Sequence, residues 1–166
     1  MDQSLNTYIQ QQIRYRNPDA AAWVYGSDAY PTIKGRVTFR QTQKGVIVTS
    51  EIVGLPDIGG EFCDNPVFAM HIHEGESCTG NAEDPFANAD GHYNPNGCLH
   101  PFHAGDLPPL FSNDGAAWCS VLTDRFTVGA VIGKTVIIHR EPDDFTTQPS
   151  GNSGTKIACG VIELKR

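Results

Sequence analysis

The sequence predicts an all-β protein, a sandwich or barrel built from several short strands. Its 17 glycines and 11 prolines favour many turns and few long helices. From Ala20 onward, short extended runs alternate with turn residues. Two long irregular stretches, about residues 74–109 and 140–154, separate the later runs. Short strands joined by long loops are typical of sandwiches and barrels.

Length and charge exclude several other classes. A chain of 166 residues fits a single domain that buries its own core. The net charge of -7 argues against nonspecific nucleic-acid binding, and no apolar run approaches the ~20 residues that span a bilayer. We therefore expect no nucleic-acid partner and no membrane partner. The same charge repels small anions on average, so chemistry on an anion requires a local positive spot.

Residues 1–18 form a polar, glutamine-rich N-terminal extension. Within it Leu5, Ile9 and Ile13 recur at intervals of four, which predicts a helical turn or two ending before Pro18. The remainder, residues 19–166, is expected to form the β-domain.

The cellular compartment is predicted from the N terminus and the cysteines. The first residues lack the basic start and apolar stretch of a secretory signal, so we expect a cytoplasmic protein. A signal removed before this numbering would leave a periplasmic or extracellular location open. Five cysteines is an odd number, so at least one is unpaired or intermolecular.

Seven runs carry strand signals: β-branched and aromatic residues bounded by turn residues. The runs are residues 21–25, 33–39, 46–53, 67–73, 116–122, 134–139 and 156–163. The second alternates apolar with polar residues, and the third is rich in valine and isoleucine and stops at Gly54. Loops as long as those between the later runs are rare unless they are tied down, and metal ligands and disulfides are two such ties.

All six histidines lie between His71 and His139, which leaves the first 70 and the last 27 residues without one. His71 and His73 stand two apart on a predicted strand, so both side chains point to one face and can converge on one ion. His139 ends an apolar run and can return to this pair.

A second group of potential ligands lies on the long loop that follows. It comprises His92, His100, His103 and Asp106. Three imidazoles and a carboxylate offer the four donors that a closed tetrahedral zinc site requires. An ion held there would order the loop, because metal binding contributes folding free energy. The spacing therefore indicates two metal sites that share one ligand.

Over roughly residues 20–164, the chain resembles the copper/zinc superoxide dismutase family. The resemblance is carried by His71-Ile72-His73-Glu74, Gly91-His92-Tyr93-Asn94-Pro95, His103-Ala104-Gly105-Asp106-Leu107, Gly133-Lys134-Thr135-Val136-Ile137-Ile138-His139, Asp143-Asp144, and Gly151-Asn152-Ser153-Gly154 running into Ala158-Cys159-Gly160-Val161-Ile162. These motifs occur in order and at matching spacing. The resemblance implies a Greek-key β-barrel/sandwich of about eight antiparallel strands with two long functional loops.

The resemblance also implies a reaction and two metal ions. Superoxide would be converted to dioxygen and hydrogen peroxide by copper alternating between Cu(II) and Cu(I), beside a structural zinc. Copper would be bound by His71, His73, His92 and His139, and zinc by His92, His100, His103 and Asp106. His92 would then bridge the two ions.

Further roles are implied by position in the same family. Asp143 would hydrogen-bond His71 and His100 and so fix their tautomers. Lys156 stands where the family usually has an arginine that attracts the substrate. Because a lysine is a mobile point charge, we expect superoxide to be oriented less tightly and the rate constant of the enzyme to be reduced. The competing interpretation is that Lys156 is a solvated charge at a strand end.

The resemblance pairs Cys78 with Cys159 in a disulfide. For the other cysteines the sequence leaves alternatives open: Cys63 and Cys98 could pair with each other, and Cys119 is expected to pack as a small apolar residue. The family also forms dimers through different surfaces, so a homodimer is expected without a defined face.

Two other functions fit part of the pattern. The chain could be a non-enzymatic, dismutase-like module that stores or delivers copper, because fold does not fix function. It could also be a zinc hydrolase with Glu74 as general base, although that leaves His71 and His139 without a role.

Overall fold

The computed structural model describes residues 4–57 and 66–165 of the chain. Antiparallel strands dominate this part, with two helices and one short 3-10 turn. The strands are β1 (Ala20–Gly26), β2 (Lys34–Thr42), β3 (Gly45–Val53), β4 (Val67–Phe68), β5 (Met70–His73), β6 (Leu110–Phe111), β7 (Ala117–Thr123), β8 (Thr135–His139) and β9 (Lys156–Leu164); the helices are α1 (Leu5–Tyr15) and α2 (Val128–Val131), and the 3-10 turn is Ala87–Ala89.

Seven of the strands form one antiparallel sheet in the order β5-β8-β9-β1-β2-β3-β7. The edge strands are β5 and β7. A two-stranded ribbon pairs β4, which leads into β5, with β6, which leads into β7. The ribbon therefore joins the segments that enter the two edges of the large sheet. The predicted all-β, antiparallel fold is confirmed.

Alternating burial along the strands creates the core. In β1, Val24 is fully buried while Trp23 and Tyr25 on either side of it are exposed. Phe39 from β2 and Phe68 from β4 are fully buried in the same hydrophobic core. Each such aromatic side chain stabilises the folded state by about 1.5–3 kcal/mol relative to exposure.

The predicted strand 67–73 is wrong as a single element, because it breaks at Ala69. Residues before the break pair with β6, and residues after it pair with β8. At the break, the amide of Ala69 donates to the carbonyl of Glu141 (3.0 Å), and its carbonyl accepts from the amide of His139 (2.9 Å). The chain thus changes hydrogen-bonding partners where the apolar pattern runs on unchanged. The strand β6 and the helix α2 were not predicted.

The N-terminal helix is confirmed and is longer than predicted. It spans 11 residues, begins after Ser4, whose hydroxyl accepts a hydrogen bond from the Thr7 amide (3.3 Å), and ends before Pro18. Its residues are not buried, but Arg16 just after it donates to the carbonyl of Gln41 in β2 (3.0 Å). Within the described ranges, no helix has the length and apolar character needed to cross a bilayer.

The long loop after β5 is tied to the last strand by a disulfide between Cys78 and Cys159, as the resemblance implies. Cys98 is exposed and Cys119 partly buried, and both are free thiols among the described residues. The pairing of Cys63 with Cys98 cannot be followed, because Cys63 lies outside the described residues.

Candidate metal centre

The candidate metal centre is built on the free edge of β5. The loop that follows β5 folds back along this edge: the Tyr93 amide donates to the Ile72 carbonyl (2.8 Å), and the Ile72 amide donates to the Gly105 carbonyl (2.9 Å). This pairing places His92 opposite His73 and Asp106 opposite His71. Backbone hydrogen bonds therefore bring the loop ligands to the strand ligands.

Gly105 permits this close approach. A Cβ atom at this position would overlap the carbonyl oxygen of Ile72 and crowd the side chain of Tyr93. The sequence motif contains this glycine, but its role was not predicted, because the clash arises from a strand more than 30 residues away along the chain.

Four imidazoles form the first donor set, whose ligand atoms all lie within 4.8 Å of one another. They are His71, His73, His92 and His139. In His73, Nδ1 donates to the Asp90 carbonyl (2.7 Å), and in His139, Nδ1 donates to the Gly154 carbonyl (3.3 Å). The two Nε2 atoms are left facing each other at 3.1 Å.

The second donor set comprises His92, His100, His103 and Asp106, again within 4.8 Å of one another. His92 Nδ1 lies 2.7 Å from Asp106 Oδ1 and 3.4 Å from His103 Nδ1. His100 Nδ1 lies 3.1 Å from Asp106 Oδ2. His92 thus turns Nδ1 toward this set.

Asp143 connects the two sets. Its Oδ2 accepts a hydrogen bond from Nε2 of His71 (2.8 Å), and its Oδ1 accepts one from Nε2 of His100 (2.8 Å). Each imidazole therefore carries its proton on Nε2 and keeps a lone pair on Nδ1. One buried carboxylate fixes the tautomer of one member of each set.

The unpaired buried nitrogens show whether metal ions fit. His71 Nδ1, His92 Nε2 and His100 Nδ1 are buried without a hydrogen-bond partner among the described residues. A buried polar atom without a hydrogen-bond partner destabilises the folded state by about 1–3 kcal/mol. Three such nitrogens beside two clusters of donors are therefore expected if a metal ion takes the place of the missing partner. Imidazole suits copper and zinc, and three imidazoles with one carboxylate suit tetrahedral zinc. The donor sets fit the two ions.

A family model described as copper/zinc superoxide dismutase matches residues 33–162. The chain belongs to this family. It is 32% identical over 153 residues to the superoxide dismutase [Cu-Zn] of Legionella pneumophila, with 87% of each chain covered. It is 33% identical over 143 residues to superoxide dismutase [Cu-Zn] 2 of Aquifex aeolicus, covering 77% of this chain and 78% of that one.

Solved structures give the same result. The Cu/Zn superoxide dismutase from Brucella abortus superposes with a TM-score of 0.72 at 25% sequence identity. The match covers 87% of this chain and 99% of that one. The family fold therefore accounts for nearly all of the β-domain.

Burial keeps two imidazoles of the first donor set, those of His73 and His139, neutral. Burial, reinforced by the neighbouring His139, lowers the pKa of His73 well below its usual value. Burial, reinforced by His71, lowers the pKa of His139 to about 3. Because metal binding requires unprotonated nitrogen, these shifts keep the donors available at neutral pH.

The carboxylates of the centre are held ionised. Burial alone would raise the pKa of Asp143, but hydrogen bonds from His71, from the Phe145 amide and from His100 outweigh it and lower the pKa to about 2. For Asp106, burial is likewise outweighed by the hydrogen bond and charge of His92, so its pKa is lowered.

A cleft of about 530 Å³ gives access to the first donor set, with His73, His92 and His139 in its wall. Lys156 also lines this cleft, but its ammonium donates to Asp84 Oδ2 (2.8 Å) and to the Phe86 carbonyl (3.1 Å). The wall carries the further acidic residues Glu83 and Asp90. Lys156 is therefore a largely buried, paired cation, and the interpretation of a solvated strand-end charge is wrong.

Sequence reasoning missed two supporting residues. Gln148 holds His100 through two hydrogen bonds, accepting from its amide (2.9 Å) and donating to its carbonyl (2.7 Å). Gly151 has a φ of 67°, and a Cβ there would overlap Asp143 and His100. The glycine-rich turn in the sequence points to Gly151, whereas no local sequence pattern points to Gln148.

Proposed function

We propose that the protein is a superoxide dismutase that holds copper in the first donor set and zinc in the second. The family carries the activity and the two metals, and superoxide is the substrate. The residue assignments rest on one observation above all: His92 directs one ring nitrogen to each donor set. A single shared imidazole at the junction of two four-donor clusters is what a copper–zinc bridge requires.

The ligand atoms follow from the hydrogen bonds of each ring. Copper would be held by His71 Nδ1, His73 Nε2, His92 Nε2 and His139 Nε2, since the opposite nitrogen of each ring is engaged elsewhere. Zinc would be held by Nδ1 of His92, His100 and His103 and by Asp106. When bound, copper supplies the one-electron redox chemistry, and zinc supplies a fixed charge.

The chain itself supplies a proton site and a fixed geometry. Conversion of two superoxide ions to dioxygen and hydrogen peroxide consumes two protons. His92 lines the cleft, and its Nε2, which has no hydrogen-bond partner among the described residues, is the atom we assign to carry one of them. Asp143, the Asp90 carbonyl and the Gly154 carbonyl hold the other rings in place while His92 exchanges its proton.

Lys156 is the cation that we assign to attract the substrate anion. It lines the same cleft as His92 and His139, and its charge opposes the acidic residues there. Its pairing with Asp84 leaves it less able to direct superoxide than a free cation would be.

The assignment is tested by elemental analysis of the purified protein together with a superoxide consumption assay. The metal-loaded chain should contain one copper and one zinc and consume superoxide. His139→Ala should lose copper and turnover while keeping zinc, because His139 belongs to one donor set alone. Turnover by copper-free His139→Ala would overturn the copper assignment, and copper binding without turnover would favour the storage function.

Other expectations stay predictions. Cell fractionation tests the cytoplasmic location, and binding assays with duplex DNA and lipid vesicles test the expected absence of those partners. Sedimentation velocity of the metal-loaded protein tests the expected homodimer.

A further inference from the structure

Arg125 lies just after the end of β7, one of the two edge strands of the large sheet. A single nitrogen of its guanidinium, Nη1, donates to three main-chain carbonyls. They are those of Pro101 (3.1 Å), His103 (3.2 Å) and Asp106 (3.3 Å). All three belong to the loop that carries the second donor set, and two of them belong to members of that set. One side chain thus gathers the segment that presents His103 and Asp106.

This segment, residues 101–106, is attached to both edge strands of the sheet. Its pairing with β5 places Asp106 opposite His71, and the Ile72 amide donates to the Gly105 carbonyl (2.9 Å). Arg125 adds the second attachment from β7, which stands at the other end of the strand order. The first attachment is made by the main chain, whereas the second depends on one side chain.

The charge of Arg125 is directed to the main chain of the segment. Among the described residues its guanidinium forms no ion pair, and the Asp106 carboxylate turns instead to His92 and His100. Hydrogen bonds from a charged donor are about twice as strong as those between neutral groups. Arg125 therefore holds the segment firmly and leaves its ligand atoms free to bind a metal ion.

Binding of zinc would alter none of these three bonds. The ligand atoms of His103 and Asp106 belong to their side chains, and Arg125 contacts only main-chain oxygens. The segment is thus held in the same way before and after the ion binds. A segment that is ordered beforehand does not draw its ordering cost from the binding free energy.

We propose that Arg125 is a positioning residue for zinc, which fixes residues 101–106 in the conformation that binds the ion. The inference rests on the proposed assignment of the second donor set to zinc. It adds a residue that touches neither the ion nor a ligand atom and that nevertheless sets the affinity of the site.

The first test measures amide hydrogen exchange in the full chain without metal. Arg125→Met keeps a long side chain and removes every donor. The amides of Phe102 and Asp106 close turns within the segment, and in this variant they should exchange about fivefold faster or more, because the segment opens more often. Arg14→Met is the matched control: it removes the same charge from α1 and should leave these two amides unchanged.

The second test measures metal affinity by competition with a chelator. Arg125→Met should bind zinc about 10-fold more weakly or worse, the usual range for loss of a residue that supports metal ligands. Its copper affinity, measured in zinc-loaded protein, should stay within about twofold, since none of the three carbonyls belongs to the first donor set. Arg125→Lys keeps the charge and three donors on one nitrogen, so it should bind zinc about threefold more tightly than Arg125→Met or better.

The outcomes separate this inference from the proposed function. Faster exchange and weaker zinc binding in Arg125→Met, with recovery in Arg125→Lys, support the proposal. Zinc affinity or amide exchange equal to that of the unaltered protein overturns it, as does an equal loss in Arg14→Met or of copper affinity. An unaltered chain that binds no zinc overturns the proposed function and this inference with it.

Discussion

At the scale of single residues, Asp143 joins the two halves of the metal centre. Its two oxygens hold one histidine of each donor set, and both His71 and Asp143 are almost fully buried. A side chain that fixes two tautomers at once couples the proposed copper site to the proposed zinc site. Gly151 allows Asp143 to take this position, since any larger residue would overlap it.

Asp143→Asn should weaken both metal sites. His71 and His100 bond different oxygens of Asp143, and the amide keeps only one of these two positions as an acceptor. One ring therefore loses its acceptor, and the other keeps only a weaker, neutral one. We expect zinc and copper affinity each to fall by about 10- to 100-fold, as is typical when a carboxylate behind a metal ligand is lost. Competition with a chelator measures both. Affinities equal to those of the unaltered protein would show that Asp143 does not orient the ligands.

The pairing of Lys156 with Asp84 leads to a second prediction. Asp84→Asn removes the partner of Lys156 and should raise the rate constant for superoxide by about two- to fivefold at low ionic strength, since steering by a freed cation is electrostatic. Stopped-flow measurements at several salt concentrations test this.

Glu83→Gln is the matched control for Asp84→Asn. It removes the same charge from the same cleft, but among the described residues the Glu83 carboxylate forms no ion pair. Equal increases for both variants would mean that net charge matters and that release of Lys156 does not.

The clustering of the donor residues was predictable from sequence, and the partner of Lys156 was not. The ligands sit in short motifs whose internal spacing is fixed by strand geometry, as with His71 and His73. Asp84 and Lys156 lie 72 residues apart and meet because the disulfide-bonded loop folds over β9. No local pattern encodes that contact.

At the scale of elements, the loop after β5 is as important as the strands. Its backbone takes the free edge of β5 and delivers His92 and Asp106 to the centre. Sequence alternation predicted where most strands lie, but it could not show that residues 67–73 divide between two sheets. That division depends on the carbonyl of Glu141 and the amide of His139, which belong to distant elements.

The disulfide that ties this loop should contribute substantially to stability. Cys78 and Cys159 are 81 residues apart, so the cross-link restricts the unfolded chain strongly. Cys78→Ser should lower the free energy of unfolding by about 4–5 kcal/mol at most, measured by urea denaturation of metal-free protein. Cys98→Ser alters an exposed thiol that has no disulfide partner among the described residues, and it should leave this free energy unchanged. Equal values for the two variants would contradict this account of the loop.

At the scale of the whole molecule, the buried histidines make the stability of the metal-free protein depend on pH. His71, His73 and His139 have lowered pKa values in the folded protein, that of His139 being about 3. Unfolded histidines titrate near 6.5, so below that pH the unfolded state takes up protons that the folded state does not. The contribution of these groups is fully present above pH 6.5 and is lost toward pH 3.

Urea unfolding of the metal-free chain between pH 4.5 and 7.5 measures this effect. The free energy of unfolding should fall with decreasing pH, by up to about 1.4 kcal/mol per pH unit for each such histidine. His139→Gln removes one of these titrating groups, so the free energy of unfolding should fall less steeply with decreasing pH. A free energy that is constant across this range would show that the histidines are not neutral in the folded protein.

The fold as a whole was largely predictable, because alternating apolar residues and frequent turns specify antiparallel strands wherever one face is buried. The exposed row in which Trp23 and Trp118 are joined through Arg36 and Glu51 was not predicted. Trp23 and Trp118 lie almost 100 residues apart, and only the pairing of β1, β2, β3 and β7 places them in one row.

The central claim is that one imidazole, that of His92, links two metal ions. Anomalous X-ray diffraction at the copper and zinc absorption edges, from crystals of the metal-loaded protein, tests it directly. We predict one ion of each element, with His92 Nε2 about 2.0–2.1 Å from copper and His92 Nδ1 at the same distance from zinc. Density for both ions with His92 bonded to one of them alone would contradict the account.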